Sequence, residues 1–268
     1  MLFSGAKRDV SRRLLLAVGG VMLLGACGSG TSKPEAAGGA AGKQGGAPFP
    51  GSEADTAAPA NGAPPANAKP STGTTGKAQY SVQGDKAIAL TIDDGPDAKY
   101  TPQVLNLLAQ HGILATFCMI GESASHHPSL VAEVSAAGHQ IANHTYTHPD
   151  LPRMDAAAIR AEIERTTDAI TRGGAKAPTL FRAPGGNWSP AVYDTCEKLG
   201  MRSLAWSVDP RDWSKPGTDH IVETVMGHTH TGSIILEHDG GGDRSQTVAA
   251  LQRFLPQLLD AGYKFVQP

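Results

Sequence analysis

The sequence lacks several features that would place the protein in a common class. Its 268 residues contain no stripe of basic residues and carry a formal net charge of −2, so nucleic acid is not a predicted partner. It has no Gly-x-Ser-x-Gly segment, which argues against a serine hydrolase built on that turn. Cysteine is scarce. Beyond residue 27 only Cys118 and Cys196 remain, and we predict that both are buried free thiols.

The apolar run near the N-terminus is too short for a comfortable transmembrane helix. A basic stretch that includes Arg12 and Arg13 precedes residues 14–26, and this order is typical of a secretory signal peptide. The run ends in Leu-Leu-Gly-Ala-Cys27, which resembles a bacterial lipobox, and the arginine pair resembles a twin-arginine export motif. We expect residues 1–26 to be a lipoprotein signal peptide and Cys27 to be lipidated. The protein would then be extracytoplasmic and anchored to the bacterial cell membrane. The alternative is an uncleaved membrane anchor.

Large apolar side chains are almost absent from residues 27–78. Gly, Ala, Pro, Ser and Thr dominate, and Phe49 is the exception. Such a stretch cannot bury enough surface to offset the entropy of ordering, so we predict a disordered linker after the lipidated cysteine. As a flexible coil it would span about 40 Å.

Residues 79–268 alternate short apolar runs with amphipathic segments, which predicts a single domain with a parallel α/β sheet or barrel. The predicted strands are 86–92, 114–120, 139–142, 179–181, 202–207, 233–237 and 264–266. The predicted helices are 101–110, 128–137, 155–172, 189–199, 217–227 and 244–261.

Chemistry in such folds collects at the C-terminal ends of the strands, and polar residues follow most of the predicted strands here. Asp93 and Asp94 lie at the end of the first strand, where a divalent cation would offset the cost of two neighbouring carboxylates. A solvated turn is the alternative. His144 and His148 follow the third strand, four residues apart, which is a spacing used for a shared metal.

Five segments resemble, in order, the motifs of the polysaccharide deacetylase family, which is the NodB-homology group of carbohydrate esterases. They are Thr-Ile-Asp-Asp-Gly, His-Thr-Tyr-Thr-His, Arg-Ala-Pro-Gly-Gly, Asp-Pro-Arg-Asp-Trp and Leu-Glu-His. The resemblance covers residues 84–268. It implies a distorted, incomplete (β/α) barrel and the removal of acetyl groups from a polysaccharide.

The resemblance also implies a ligand set for a divalent metal, namely Asp94, His144 and His148. Two imidazoles and one carboxylate favour Zn²⁺, although Co²⁺, Mn²⁺ or Ni²⁺ suit the same set. Asp93 would be the base that takes a proton from the metal's water, which then attacks the acetyl carbonyl, and Arg182 would orient Asp93.

His238 would be the general acid, and a carboxylate would tether its ring, with Asp212 preferred over Asp209. Gly185 stands where many relatives have tyrosine, and its N–H can still hold an oxyanion. The tyrosine ring would have formed a wall of the substrate groove. Trp188 or Trp213 would supply such a sugar-stacking surface instead, and Trp206 is less favoured because it lies within a strand. A second departure is Glu237 in place of an apolar residue, and alternation along a strand would point it away from His238.

We predict a metal-dependent hydrolase that acts on an N-acetylated cell-envelope polysaccharide. Peptidoglycan N-acetylglucosamine is preferred, because a lipid-anchored protein reaches the cell's own wall. Chitin-type oligosaccharides and acetylated xylan are the alternatives. A non-catalytic glycan-binding lipoprotein is a further alternative. Such a protein should have lost the catalytic base, a metal ligand or the general acid, and the sequence retains all of these. We expect a monomer.

Overall fold

The computed structural model describes residues 78–268, so the predicted signal peptide, Cys27 and almost all of the predicted linker lie outside the described part. The strands are Ala87–Asp93 (β1), Thr116–Met119 (β2), Gln140–Asn143 (β3), Leu180–Phe181 (β4), Arg202–Ser203 (β5), Ile234–His238 (β6) and Lys264–Phe265 (β7). The helices are Thr101–His111 (α1), Gly121–His126 (α2), Pro128–Ala136 (α3), Ala156–Arg172 (α4), Pro190–Lys198 (α5), Thr218–His228 (α6) and Ser245–Asp260 (α7). Within residues 78–268, no helix combines the length and apolarity needed to cross a membrane.

The strands form a curled parallel sheet. Its order is β5-β4-β3-β2-β1-β6, and β7 pairs with the first two residues of β1. All seven residues of β1 are buried, as expected for a central strand that is covered on both faces. The register aligns Asp93 with His238 on one side and with Cys118 on the other. The predicted parallel α/β architecture is therefore confirmed.

The segment after β5 closes the sheet only in part. A strand was predicted over 202–207, but pairing with β4 stops at Ser203. The Leu204 N–H still donates to the Phe181 carbonyl of β4, but the residues after Leu204 leave β4 because their backbone groups bond elsewhere. The Ala205 N–H donates to the carbonyl of Gln79, and the Ser207 N–H donates to that of Ile234 in β6. The prediction of one continuous strand was wrong, and the observed bridges produce the incomplete barrel.

Helices cover the sheet with the faces that the sequence pattern indicates. In α4, Ile159, Ile163 and Ile170 are fully buried, and the Asp155 side chain accepts from the Ala158 N–H as an N-cap. The sequence did not predict α2, whose six residues are too few to show a periodic pattern. Within residues 78–268, Cys118 and Cys196 are buried and free, as expected.

Candidate active site

The polar residues selected from the sequence meet at one edge of the sheet. Asp93 ends β1, His238 ends β6, and His144 and Arg182 follow β3 and β4 directly. Because these strands are parallel, their C-terminal ends bring residues that are far apart in sequence to the same place. The cluster lies at the carboxyl edge that the strand pattern indicated.

Asp94, His144 and His148 form a candidate metal centre. Oδ1 of Asp94 lies 3.5 Å from Nε2 of His144 and 3.6 Å from Nε2 of His148. The three ligand atoms all lie within 4.8 Å of one another. Oδ1 of Asp94 is buried and accepts no hydrogen bond from any group within residues 78–268, which is costly for a carboxylate oxygen. A divalent cation would satisfy it, and the two nitrogens and one oxygen suit such an ion.

Local backbone geometry aims these ligands at one point. Nδ1 of His144 lies 2.8 Å from the Arg182 carbonyl, and this contact leaves Nε2 free to face Asp94. Asp94, Thr145 and His148 adopt positive φ angles of 73°, 65° and 56°. Such angles are uncommon outside glycine and cluster at functional sites.

Glu162 of α4 supports the loop that carries both histidines, and the sequence reading missed it. Its Oε2 accepts hydrogen bonds from the N–H groups of Tyr146 (2.8 Å) and Thr147 (2.7 Å). The side chain is almost fully buried. The sequence signal that could have identified Glu162 is its place in α4: it lies three residues after Ile159 and next to Ile163, on the apolar face, where an acid is unusual.

Asp93 is hydrogen-bonded to Arg182 through one oxygen, and its other oxygen, Oδ2, lies 3.6 Å from Nε2 of the candidate metal ligand His144. Nη1 of Arg182 donates to Oδ1 of Asp93 over 2.6 Å, and Arg182 is fully buried. Burial by itself would raise the pKa of Asp93, but the Arg182 charge outweighs it, with help from His144 and His238. The pKa of Asp93 therefore lies below its ordinary value, and the carboxylate stays ionised.

The Arg182 guanidinium is fixed by groups that the sequence did not single out. Nη1 also donates to Oγ1 of Thr91 over 2.8 Å, and Nη2 donates to the carbonyl of Ala205 over 2.9 Å. Trp206 lies with its ring centroid 5.5 Å from the guanidinium carbon and is buried. Arg182 is thus a buried positioning group, and not part of a surface ion pair.

His238 is paired with Asp212. Nδ1 of His238 lies 2.6 Å from Oδ1 of Asp212, and the His238 N–H donates to Oδ2 over 2.9 Å. Burial alone would lower the pKa of His238, but Asp212, followed by the Asp94 and Asp93 carboxylates, outweighs burial and raises the pKa to about 9. Asp209, the second candidate for this role, instead accepts the Arg211 N–H at 2.8 Å.

The remaining site residues differ in exposure. Gly185 is exposed and has a φ of 60°, which is a conformation that favours glycine over tyrosine. Trp213 is 38% exposed, and the Arg211 guanidinium carbon lies 5.1 Å from its ring centroid. Trp188 is partly buried and stacks on Tyr193 with centroids 5.0 Å apart.

Glu237 is fully buried, and no hydrogen-bond donor in the described part of the chain reaches either of its carboxyl oxygens. Burial, followed by the nearby Asp212 carboxylate, raises its pKa well above the ordinary value. Burial in this position therefore favours the uncharged form of the Glu237 carboxyl.

Comparisons with known proteins agree with this site. Residues 81–204 match the polysaccharide deacetylase family. A peptidoglycan-N-acetylglucosamine deacetylase of Bacillus cereus is 44% identical over 201 residues, which cover 72% of this chain and 91% of that protein. The chain belongs to the polysaccharide deacetylase family. The predicted enzyme class, a polysaccharide deacetylase, is confirmed.

Two further comparisons extend the family relationship. A chitooligosaccharide deacetylase of Sinorhizobium fredii is 42% identical over 194 residues, with 68% of this chain and 90% of that protein covered. A family 4 carbohydrate esterase from Streptomyces lividans, solved in complex with acetate, superimposes with a TM-score of 0.62 at 37% identity. That alignment covers 66% of this chain and 90% of the esterase. The NodB-type fold that the motifs implied is confirmed.

Proposed function

We propose that the protein is a metal-dependent hydrolase that removes acetyl groups from N-acetylglucosamine units of a cell-envelope polysaccharide. The observation that carries this proposal is the difference between two adjacent carboxylates. Asp93 is bonded to Arg182, whereas Asp94 presents a buried oxygen without a donor to two imidazole nitrogens. One carboxylate is therefore available for proton transfer and the other for a cation.

Asp94, His144 and His148 hold the metal in this proposal, and Zn²⁺ is the ion that this donor set favours. A divalent cation bound there supplies Lewis-acid activation of the acetyl carbonyl and acidifies water. The His144 contact with the Arg182 carbonyl keeps one ring nitrogen oriented toward that position.

Asp93 is the general base. Oδ1 is occupied by Arg182, so Oδ2 is the atom that accepts a proton from the attacking water. His238 is the general acid. Its Nδ1 is bonded to Asp212, so Nε2 delivers the proton to the amide nitrogen as the C–N bond breaks, giving acetate and a free amine. The exposed Gly185 provides a backbone N–H for the developing oxyanion.

Peptidoglycan is the preferred polymer. Two arguments favour it: the relative that is 44% identical bears that activity in its name, and the signal-like residues 1–26 with Cys27 favour a lipid-anchored protein outside the cytoplasmic membrane. The second candidate is a chitooligosaccharide, because a chitooligosaccharide deacetylase is 42% identical to this chain.

A substrate panel separates these possibilities. The protein lacking residues 1–26 is incubated with peptidoglycan, N-acetylglucosamine oligomers and acetylated xylan, and released acetate is measured. The proposal predicts the highest kcat/KM on peptidoglycan. A higher value on free oligomers would favour the second candidate, and absence of acetate from all three would overturn the enzymatic proposal.

A further inference from the structure

The start of α7 is fastened to the segment that carries Asp212 and Trp213. α7 begins at Ser245. Three hydrogen bonds join the two elements: Thr247 Oγ1 to Asp212 Oδ2 (2.7 Å), Arg244 Nη1 to the Trp213 carbonyl (3.2 Å), and the Gly217 N–H to Gln246 Oε1 (2.8 Å). Three positions at the start of α7 therefore contact this segment.

Arg244 is a buried cation whose bonds are to main-chain carbonyls. Besides the contact with Trp213, its Nε donates to the Gly240 carbonyl over 2.6 Å and its Nη2 donates to that of Gly241 over 3.0 Å. Arg244 is 4% exposed, and no salt bridge found within residues 78–268 includes it.

The position of Arg244 is unfavourable for the helix itself. It occupies the N-cap of α7, where its side chain makes no capping hydrogen bond. Ser, Thr, Asp and Asn are preferred there, and the helix dipole disfavours a cation. Helix stability therefore does not explain why an arginine stands at this position. Its hydrogen bonds to three main-chain carbonyls do.

Thr247 completes the hydrogen bonding of Asp212. It is fully buried, and its hydroxyl reaches the same Oδ2 that accepts the His238 N–H. The other oxygen, Oδ1, faces Nδ1 of His238. Two donors on Oδ2 fix the rotation of the carboxylate, and this rotation sets the direction in which the imidazole points.

We propose that Thr247 and Arg244 are positioning residues for the deacetylation reaction, with separate effects. Thr247 orients the Asp212–His238 pair, and Arg244 holds Trp213 as a wall of the sugar groove. The inference rests on the proposed function, because it takes His238 as the acid and Trp213 as a substrate contact.

The two effects are measured separately as kcat and KM. Thr247→Val keeps the shape of the side chain and removes the donor, so we expect kcat to fall about 10- to 100-fold while KM stays within about twofold. Thr247→Ser keeps the donor and should restore kcat. Arg244→Met removes the guanidinium group that donates to the Trp213 carbonyl. We therefore expect KM for N-acetylglucosamine oligomers to rise about tenfold, with a smaller change in kcat.

Gln246→Ala is the matched control, because it loses a bond to the same segment but at Gly217, away from Asp212 and Trp213. It should leave both constants near those of the unmutated protein. If Thr247→Val and Arg244→Met also matched the unmutated protein, or if Gln246→Ala lost as much activity as they do, the inference would be overturned.

An NMR measurement keeps the inference testable even if the protein releases no acetate. The ¹⁵N shift of the His238 imidazole should change in Thr247→Val and return in Thr247→Ser. An unchanged shift in Thr247→Val would overturn the inference. Failure of acetate release in the unmutated protein would instead count against the proposed function. Should Thr247→Val not fold, Thr247→Ala provides the same comparison.

Discussion

Nη1 of Arg182 lies 2.6 Å from Oδ1 of Asp93, and both side chains are buried. A buried ion pair of this kind commits one carboxylate oxygen to structure and leaves the other for chemistry. Within residues 78–268, the next residue, Asp94, forms no salt bridge with arginine or lysine and instead faces two histidines. The different surroundings of these two residues underlie the predictions that follow.

Asp93→Asn should reduce kcat by about 10²- to 10⁴-fold, because an amide cannot accept the proton that the base takes. Bound metal should remain, since Asp94 and both histidines are intact. Loss of the buried charge beside Arg182 should also lower the free energy of unfolding by about 3–5 kcal/mol. Acetate release, metal analysis and thermal melting measure the three effects. If the metal were lost as well, the separation of roles between Asp93 and Asp94 would be wrong.

His144→Ala should lose both metal and activity, because it removes a buried ligand. Metal content after dialysis, measured by elemental analysis, is the direct test. His228→Ala is the matched control, since His228 is an exposed histidine of α6 outside the candidate metal centre. Equal metal content in the two variants would contradict the ligand assignment.

The Asp212–His238 pair gives a pH prediction with a defined sign. The pKa of His238 is raised to about 9, with Asp212 as the first of the carboxylates that raise it, so the general acid stays protonated and activity should fall only as the pH rises through about 9. Asp212→Asn removes the carboxylate, and burial then lowers the pKa of His238. The alkaline limb of the kcat/KM profile should therefore move to lower pH by more than about one unit.

The same pair should contribute to stability in a pH-dependent way. Because the pKa of His238 is higher in the folded protein than its ordinary value of 6.5, its contribution is fully present below pH 6.5 and is lost as the pH rises through about 9. Denaturant unfolding at pH 6 and at pH 10 measures this loss.

The kinetic prediction has its own contradicting outcome. If the alkaline limb of the kcat/KM profile stays in place in Asp212→Asn, Asp212 is not the group that raises the pKa of His238.

Most of the fold and site could be predicted because they depend on local patterns. The apolar run of β1 and the spacing of isoleucines in α4 are explicit in the sequence, and parallel strands bring their ends together. The end of β5 could not be predicted, because it depends on carbonyls that are distant in sequence. The Gln79 carbonyl accepts the Ala205 N–H, and the Ile234 carbonyl accepts the Ser207 N–H.

Supporting residues were also missed, for a related reason. Thr247 and Arg244 act through hydrogen bonds to residues about 30 positions away in sequence, and no local pattern reveals such contacts. Asp93, His144 and His238 were found because they form recognisable motifs at predicted strand ends. The supporting residues Thr247 and Arg244 lie in α7 and at its N-cap. The apolar spacing of that helix predicts which face packs on the sheet, but not which side chains bond to the site.

Glu237→Leu should stabilise the protein. No hydrogen-bond donor within residues 78–268 reaches the buried carboxyl oxygens of Glu237, and burying a polar group without such a bond costs about 1–3 kcal/mol. Since its pKa in the folded protein is raised well above the ordinary value of 4.5, the cost grows as the pH rises above that value. The gain in melting temperature should therefore be larger at pH 8 than at pH 5.

Glu237→Gln is the control for this prediction. It keeps a polar side chain of the same size but cannot ionise, so its melting temperature should depend less on pH than that of the unmutated protein. A Glu237→Leu variant that melts lower at pH 8 would show that the carboxyl has a stabilising partner.

Acetate release before and after metal removal tests the central claim most directly. The protein is treated with a chelator, dialysed and assayed on N-acetylglucosamine oligomers and peptidoglycan, and then assayed again after Zn²⁺ is restored. We expect activity to disappear with the metal and to return with it, because Asp94, His144 and His148 form the only candidate metal cluster within residues 78–268. Acetate release at an undiminished rate from the metal-free protein would contradict the account, as would its complete absence after Zn²⁺, Co²⁺, Mn²⁺ and Ni²⁺ have each been restored.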